Sequence, residues 1–449
     1  MTTTLVYGLA IAGQAVATEL VSRDEKVILV DDLQTDSNSE FALSLKSKIS
    51  YKPTVSELSD LLQQSDRVVP SPGIAESHQL FESSRKLNKP VMSEIELAYQ
   101  FEQQSSSSRP MVAVTGTDGK TTTTLMAAAM LNAAGLRSSA VGNTETPLIA
   151  ALRSDAQAFA VECSSFRLAL THTFRAKASV WLNLAPDHLD WHSSLDTYAA
   201  AKAKMWAHLL PSDVAVVPVR DESITKFATK SGARVVSFGQ DTGDYHVKNG
   251  MLTCPEGEIL HSSEMARSLP HDVTNALAAA AITIESGLAN RGQVAQALRS
   301  FVNAPHRIEF VAENAGVRWF NDSKATSPHA TSVALKSFKS IVLIAGGKNK
   351  GLDLTQMANN SESIKAVVAI GNAAQEIAAA FSGVCEVRLA DSMHDAVRCA
   401  DQLATAGDVV LLSPGCTSYD WYKNYGERGN DFKNEVNALI NTKQEKNRK

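Results

Sequence analysis

Short apolar runs closed by glycine alternate with longer mixed stretches along this chain. Near its start, "TLVYG" leads into "GLAIAG" (Gly8 to Gly13), a helical stretch through Leu20 and a second apolar run, "KVILVDD". That order predicts a β-α-β unit of Rossmann type. "DRVVPSPGI" predicts another strand ending in a Ser-Pro-Gly turn, and "SEIELAYQFEQQ" a helix N-capped by Ser93. The polar run "SSSSRP" then breaks the pattern and marks a boundary.

A second alternation opens with "MVAVTG" and continues through "AFAVEC", "ASVWLNL", "DVAVVPV" and "ARVVSFG", with helical stretches between several of them. It predicts a mostly parallel sheet covered by helices. "DYHVKNGMLTCPEGEIL" reads as a β-hairpin insertion, and "TNALAAAAITIESG" as a helix ending at Gly287. Beyond "NAPHRIEF" a third alternation runs through "SIVLIAGGKN", "KAVVAIGN", "CEVRLA" and "DVVLLSPG", and the charged end "NTKQEKNRK" is expected to fray. The expectation is an α/β chain of three domains. Residues 1–107 form a Rossmann-like N-terminal domain, 108–304 a central P-loop-type mononucleotide-binding domain with a parallel sheet, and 305–449 a Rossmann-like C-terminal domain. A length of 449 residues suits three domains of ordinary size.

Charge and cysteine usage narrow the class. Lys+Arg 43 against Asp+Glu 48 gives a net charge of −5, which argues against general nucleic-acid or membrane-surface binding. Five cysteines (Cys163, Cys254, Cys385, Cys399, Cys416) are odd in number and widely spaced, which favours a reducing compartment and offers no zinc site. The first residues lack a basic n-region and turn glycine-rich where a signal peptide would be apolar. No apolar run reaches the ~18 residues of a membrane span. A cytoplasmic enzyme is expected, with no membrane insertion.

The stretch "VAVTGTDGKTTTTLMAAAM" carries the clearest chemistry. A Walker A loop spaces its glycines as G-x-x-x-x-G-K-[ST]; here Gly116 precedes Gly119 by only three positions, so the loop is clipped. The other parts stand in order: buried strand, glycines, Lys120, Thr121, helix. Free N–H groups and the dipole at that helix start attract phosphate. Lys120 supplies a point charge for terminal phosphates, and the Thr121 hydroxyl is placed to ligate Mg²⁺. By contrast, "GLAIAG" is a weak dinucleotide fingerprint, because Ala10 puts a β-carbon where the pyrophosphate must approach. Glu162 ends the run "AFAVE", where it meets either a metal or a salt bridge. Asp187, His188, Asp190 and His192 crowd six residues, as metal ligands or as a helix cap with exposed histidines. Lys202 and Lys204 on "YAAAKAKMW" read by default as solvated lysines. Asp322 and Lys324 share one turn, and Lys348 and Lys350 lie in a glycine-rich run suited to an anion.

Taken together, "GTDGKTTT", "SPGI" (Ser71 to Ile74), "ECSSF" (Glu162 to Phe166), "DHLD", "NDSKAT" (Asn321 to Thr326) and above all "LLSPGCTSYDWYKNYGERGNDF" resemble the Mur ligase family, and within it the branch that adds D-glutamate to UDP-N-acetylmuramoyl-L-alanine. The resemblance runs the whole chain. It implies an ATP-dependent amide ligase acting through an acyl phosphate in cytoplasmic peptidoglycan precursor synthesis, with two Mg²⁺ ions and a carbamylated Lys202. It implies that the first domain holds the UDP-muropeptide, the central one ATP and the third D-glutamate, in a chain working as a monomer. By the same resemblance Gly116, Thr117, Asp118, Gly119, Lys120, Thr121, Thr122, Asn275, Arg307 and Asp322 bind ATP. Thr121 and Glu162 hold one Mg²⁺, and His188 and Lys202 the second. Lys324, Thr326, Lys350, Ser418 and Tyr425 surround D-glutamate; Ser71, Gly73, Asn143 and Ser164 touch the UDP-muropeptide. Lys120, His188 and Lys202 are the implied catalytic residues. Three positions depart from the pattern: Asp272 stands where Asn is common, Asp31 to Leu33 lack the Thr-Arg pair of some members, and Tyr425 replaces a frequent Phe. The alternative kept open is a Mur-type or folylpolyglutamate-type ligase with a different amino acid. A switch or transport ATPase leaves the C-terminal motif unexplained, and Ala10 argues against an NAD-dependent oxidoreductase.

Overall fold

The apolar runs nearest the start pair in parallel. In the computed structural model, which describes residues 2–188 and 191–447, the strands Ile49–Tyr51, Lys26–Asp31, Thr3–Tyr7 and Arg67–Pro70 form a four-stranded parallel sheet in that order. The three-residue edge strand Ile49–Tyr51 carries no alternation long enough to announce itself. Ser93 caps the helix Glu94–Gln103 by accepting the Glu96 N–H, as the sequence predicts.

The second sheet is parallel throughout. Its order is Arg234–Phe238, Val214–Pro218, Ala178–Trp181, Met111–Thr115, Ala158–Glu162, Ser138–Gly142. The edge strand Ser138–Gly142 escapes a sequence reading because two serines and an alanine dilute its apolar pattern. The expected hairpin insertion is a three-stranded antiparallel meander, His246–Lys248, Met251–Cys254 and Gly257–His261. Its first turn, Asn249-Gly250, has both residues at positive φ (51° and 79°), the geometry that hairpin twist favours.

One apolar core joins the first sheet to one side of the second. It runs from Val6, Val16 and Leu29 through Ile95, Leu97 and Phe101 to Phe159, Trp181 and Trp206. The other side of the second sheet packs under the helices Lys120–Ala133, Pro270–Glu285 and Arg291–Ser300.

The third sheet is mixed, in the order Glu309–Asn314, Val317–Asn321, Val409–Gly415, Ile341–Gly346, Ile364–Ile370, Glu386–Ala390. Only the first pairing is antiparallel. Its two faces carry separate cores. The chain folds as two compact units, Met1–Ser268 with Asp272–Phe301, and Leu269–His271 with Val302–Lys449. Among the described residues no helix is long and apolar enough to cross a membrane.

Candidate active site

The clipped loop leaves the central strand Met111–Thr115 and enters the helix Lys120–Ala133. Gly119 is the N-cap, at φ 81°, and a β-carbon there would lie 2.6 Å from Asn275 Oδ1. Left-handed backbone and a close neighbour both demand glycine. The same contact sets Asn275 directly against the loop. Beneath it, Asn183 Oδ1 accepts the N–H groups of Thr117 and Asp118, each at 2.9 Å, and Asn183 Nδ2 donates to the Asp118 carbonyl at 3.2 Å. The Thr117 hydroxyl bonds the Ala185 N–H at 3.0 Å and lies 3.3 Å from the Tyr198 hydroxyl. Lys120 Nζ donates to the carbonyls of Gly116 (3.0 Å) and Thr117 (2.7 Å), while Thr121 and Thr122 form the first helical turn behind it.

Lys202, read by default as solvated, is 1% exposed. It sits near the end of the helix Leu195–Ala203, whose start is fixed by a Ser194–Thr197 capping box. Its Nζ donates 2.7 Å to the Gly116 carbonyl, the oxygen Lys120 also uses, and lies 4.3 Å from the centre of the Tyr198 ring. Burial, aided by the neighbouring Lys120, holds its pKa well below the ordinary lysine value. Both lysine side chains therefore converge on one loop carbonyl. His188 adopts φ 54°; its ring packs edge-on to Phe166 at 4.7 Å, and its Nε2 lies 3.3 Å from Asp187 Oδ2. His192 is buried and its Nε2 meets the Ser165 hydroxyl at 2.9 Å, so it supports the helix Ser165–Ala169. Asp190 lies outside the described residues.

Glu162 ends the strand beside the loop strand, in register with Val114. It is 2% exposed. Its Oε1 accepts Asn143 Nδ2 at 3.0 Å, and its buried Oε2 has no hydrogen-bond partner among the described residues. A buried carboxylate oxygen without a donor is costly unless a cation faces it. Glu162 and the Thr121 hydroxyl supply the hard oxygen donors Mg²⁺ takes, so these residues fit that ion. Among the described residues no group of three His, Cys, Asp or Glu forms a ready-made metal cage.

Other expected residues of this unit fall in two places. Asp272 accepts Arg267 Nε at 2.6 Å and NH2 at 2.5 Å, so an acid at this buried position is balanced by its own arginine. Ser71 is buried and donates 2.6 Å to the Gly8 carbonyl; Gly73, two residues on, has open space where a β-carbon would stand. Ser164 N-caps the helix Ser165–Ala169 by accepting the Arg167 N–H. Ser71, Ile74, Phe166, Arg167 and Trp191 line a small cleft there, and Trp191 Nε1 donates 2.8 Å to the Ile74 carbonyl. Asp31 uses its oxygens on the N–H groups of Leu9 (2.6 Å) and Leu33 (2.8 Å).

In the second unit, Asp322 is buried at the end of Val317–Asn321. Its Oδ1 accepts the Ile308 N–H at 3.2 Å, beside half-buried Arg307, and its Oδ2 the Ser413 hydroxyl at 2.8 Å. Lys324 Nζ stands 3.8 Å from the centre of the Tyr425 ring. Thr326 is half-buried before the helix Pro328–Leu335, Ser418 is buried, and Lys350 is exposed. Sequence reasoning missed the residue that gathers this set. Arg428, 1% exposed, donates to Ser323 Oγ (2.9 Å), the Ser323 carbonyl (2.9 Å) and the Cys416 carbonyl (3.1 Å). It thereby ties the turns bearing Lys324, Thr326 and Ser418 to the helix that starts at Tyr425, and burial lowers its pKa to about 10. In the first unit the missed residues are Asn183 and Tyr198. The signal for Asn183 was its place just past the strand that neighbours the loop strand.

Known proteins are similar to this chain in sequence and in fold. Residues 114–283 match the Mur ligase middle domain, and residues 306–416 the Mur ligase, glutamate ligase domain. A UDP-N-acetylmuramoylalanine–D-glutamate ligase of Frankia casuarinae is 37% identical, over 97% of this chain and 93% of its own length. One of the same name from Pelotomaculum thermopropionicum is 37% identical over 97% of each. Among solved structures, a UDP-N-acetylmuramate-alanine ligase from Thermotoga maritima shares the fold with TM-score 0.61 at 18% identity, covering 98% of this chain and all of its own (100%).

Proposed function

The chain belongs to the Mur ligase family, and from that premise we propose how its side chains divide the work of an ATP-dependent ligase that joins D-glutamate to UDP-N-acetylmuramoyl-L-alanine in peptidoglycan precursor synthesis. The terminal phosphoryl group of ATP activates the substrate carboxylate as an acyl phosphate, and the D-glutamate amine displaces phosphate to form the amide. The observation that carries the assignment is the clipped loop beside a buried carboxylate with one unpartnered oxygen.

Lys120 leaves the Gly116 and Thr117 carbonyls for the transferred phosphate. Thr117 and Asp118 act through loop shape, since their N–H groups serve Asn183; Gly119 to Thr122 present the helix start. Thr121 and Glu162 hold one Mg²⁺, which when bound offsets phosphate charge. His188 and a carbamylated Lys202 hold a second, because a plain ammonium has no lone pair to offer a metal. Asn275, Arg307 and Asp322 contact the nucleotide. Lys324, Thr326, Lys350, Ser418 and Tyr425 receive D-glutamate, and Ser71, Gly73, Asn143 and Ser164 the UDP-muropeptide. These roles follow the division 1–107, 108–304 and 305–449, in a monomer working in the cytoplasm.

Phosphate release from ATP tests the reading: it should require the UDP-muropeptide and D-glutamate together. The same assay tests amino-acid choice. Lys350, Thr326 and Ser418 offer a cation and hydroxyls to the side-chain carboxylate that D-alanine lacks. A site built to bond that group is left unpaired by the analogue, so kcat/KM for D-glutamate should exceed that for D-alanine by about 10⁴-fold. Comparable values would refute the assignment.

A further inference from the structure

A chain of polar contacts leads from the helix Glu94–Gln103 to Glu162. Glu94 and Arg167 form a buried ion pair, with Arg167 Nε 3.3 Å from Glu94 Oε2 and the two side chains 7% and 1% exposed. Glu94 Oε1 also accepts the Ile149 N–H at 2.7 Å, capping the short helix Leu148–Ala151, which has no cap of its own. Burial raises the pKa of Glu94, and Arg167 pulls it down. Arg167 NH1 donates to Asn143 Oδ1, and Asn143 Nδ2 donates 3.0 Å to Glu162 Oε1.

The chemistry of the flanking groups fixes the amide between them. A guanidinium only donates and an ionised carboxylate only accepts. Asn143 must therefore turn its oxygen to Arg167 and its nitrogen to Glu162. The backbone repeats the link, since the Asn143 N–H donates 2.9 Å to the Glu162 carbonyl. That approach requires glycine at 142, where φ is 96° and a β-carbon would lie 2.5 Å from the same carbonyl oxygen. With Oε1 occupied, Glu162 is left with Oε2 as its unpartnered oxygen.

We propose that Arg167, anchored by Glu94, is a positioning residue that acts through Asn143 to hold Glu162 with Oε2 presented to the metal. This rests on the reading of Glu162 as an Mg²⁺ ligand. Groups that orient a ligand in this way are worth 10–100-fold in metal affinity. Arginine suits the task because its planar fork serves Glu94 and Asn143 at once, while the single ammonium of lysine holds the charge without that geometry.

Mn²⁺ titration followed by electron paramagnetic resonance, on the full chain with a non-hydrolysable ATP analogue, reads the effect without turnover. R167K keeps the charge opposite Glu94 and should weaken Mn²⁺ binding 10–100-fold. E94L/R167M removes both charges together, which avoids a buried unpaired ion, and should weaken binding to the same extent. The half-saturating Mg²⁺ concentration for activity should rise in parallel, with KM for D-glutamate unchanged. E162Q is the control. If E162Q weakens Mn²⁺ binding while both Arg167 variants bind it as the parent does, the positioning role is overturned. If E162Q itself binds Mn²⁺ as the parent does, the ligand reading falls and the proposal with it.

Discussion

Lys120→Ala should abolish useful turnover and leave the protein folded. The side chain is half-buried at the first position of its helix, and its Nζ bonds two loop carbonyls. Losing those bonds from a half-buried ammonium costs about 1.5–3 kcal/mol each at most, and alanine is the best helix former. Nothing in the core depends on the stem. The functional loss is larger, because the ammonium meets charge that builds up on the phosphate during transfer. Removing one preorganised donor to such charge costs about 10²–10³ in kcat. Turnover at saturating ATP, measured beside the melting temperature, checks both halves. Near-parental turnover would refute the role.

Lys202→Ala should be nearly inactive and should regain activity with added formate or acetate. Lys202 is buried, and its lowered pKa keeps more of the amine neutral than in an ordinary lysine. A neutral amine attacks CO₂, forming an N–C bond and releasing a proton, and the product is an anionic oxygen donor suited to a hard cation. Truncation opens space that a small carboxylate can fill. A lysine that merely braced the Gly116 carbonyl would also lose activity on truncation, but a carboxylate would not restore it. Lys204→Ala should change little, because that side chain points elsewhere, to the Ala169 carbonyl. Full activity of Lys202→Ala without added carboxylate would refute the ligand role.

The elements legible in the sequence were those with long apolar runs. All four strand runs named in the third segment, and the loop strand with its helix, stand where the pattern put them. The strands Ile49–Tyr51 and Ser138–Gly142 were not legible, because edge strands bury little and their composition shows it. The phosphate loop was legible because its chemistry is local: glycines, lysine and threonine must be adjacent. The burial of Lys202 was not, since on its helix it looks like Lys204 and its role was implied by the family resemblance alone; only tertiary packing buries one and leaves the other half-exposed. Asn183, Arg167 and Arg428 share that difficulty. Their partners lie 65, 24 and 105 residues away along the chain, and no local pattern carries such a bond.

The serine run after residue 104 looks like a place to cut the chain, yet the apolar core passes across it. Ile95, Leu97 and Phe101 lie in the same core as Phe159, Trp181 and Trp206. A fragment stopped at the serines would turn that surface to water and lose much of the driving force for folding. The first sheet has therefore lost its independence: it should melt together with the central sheet in one calorimetric transition, because one core serves both.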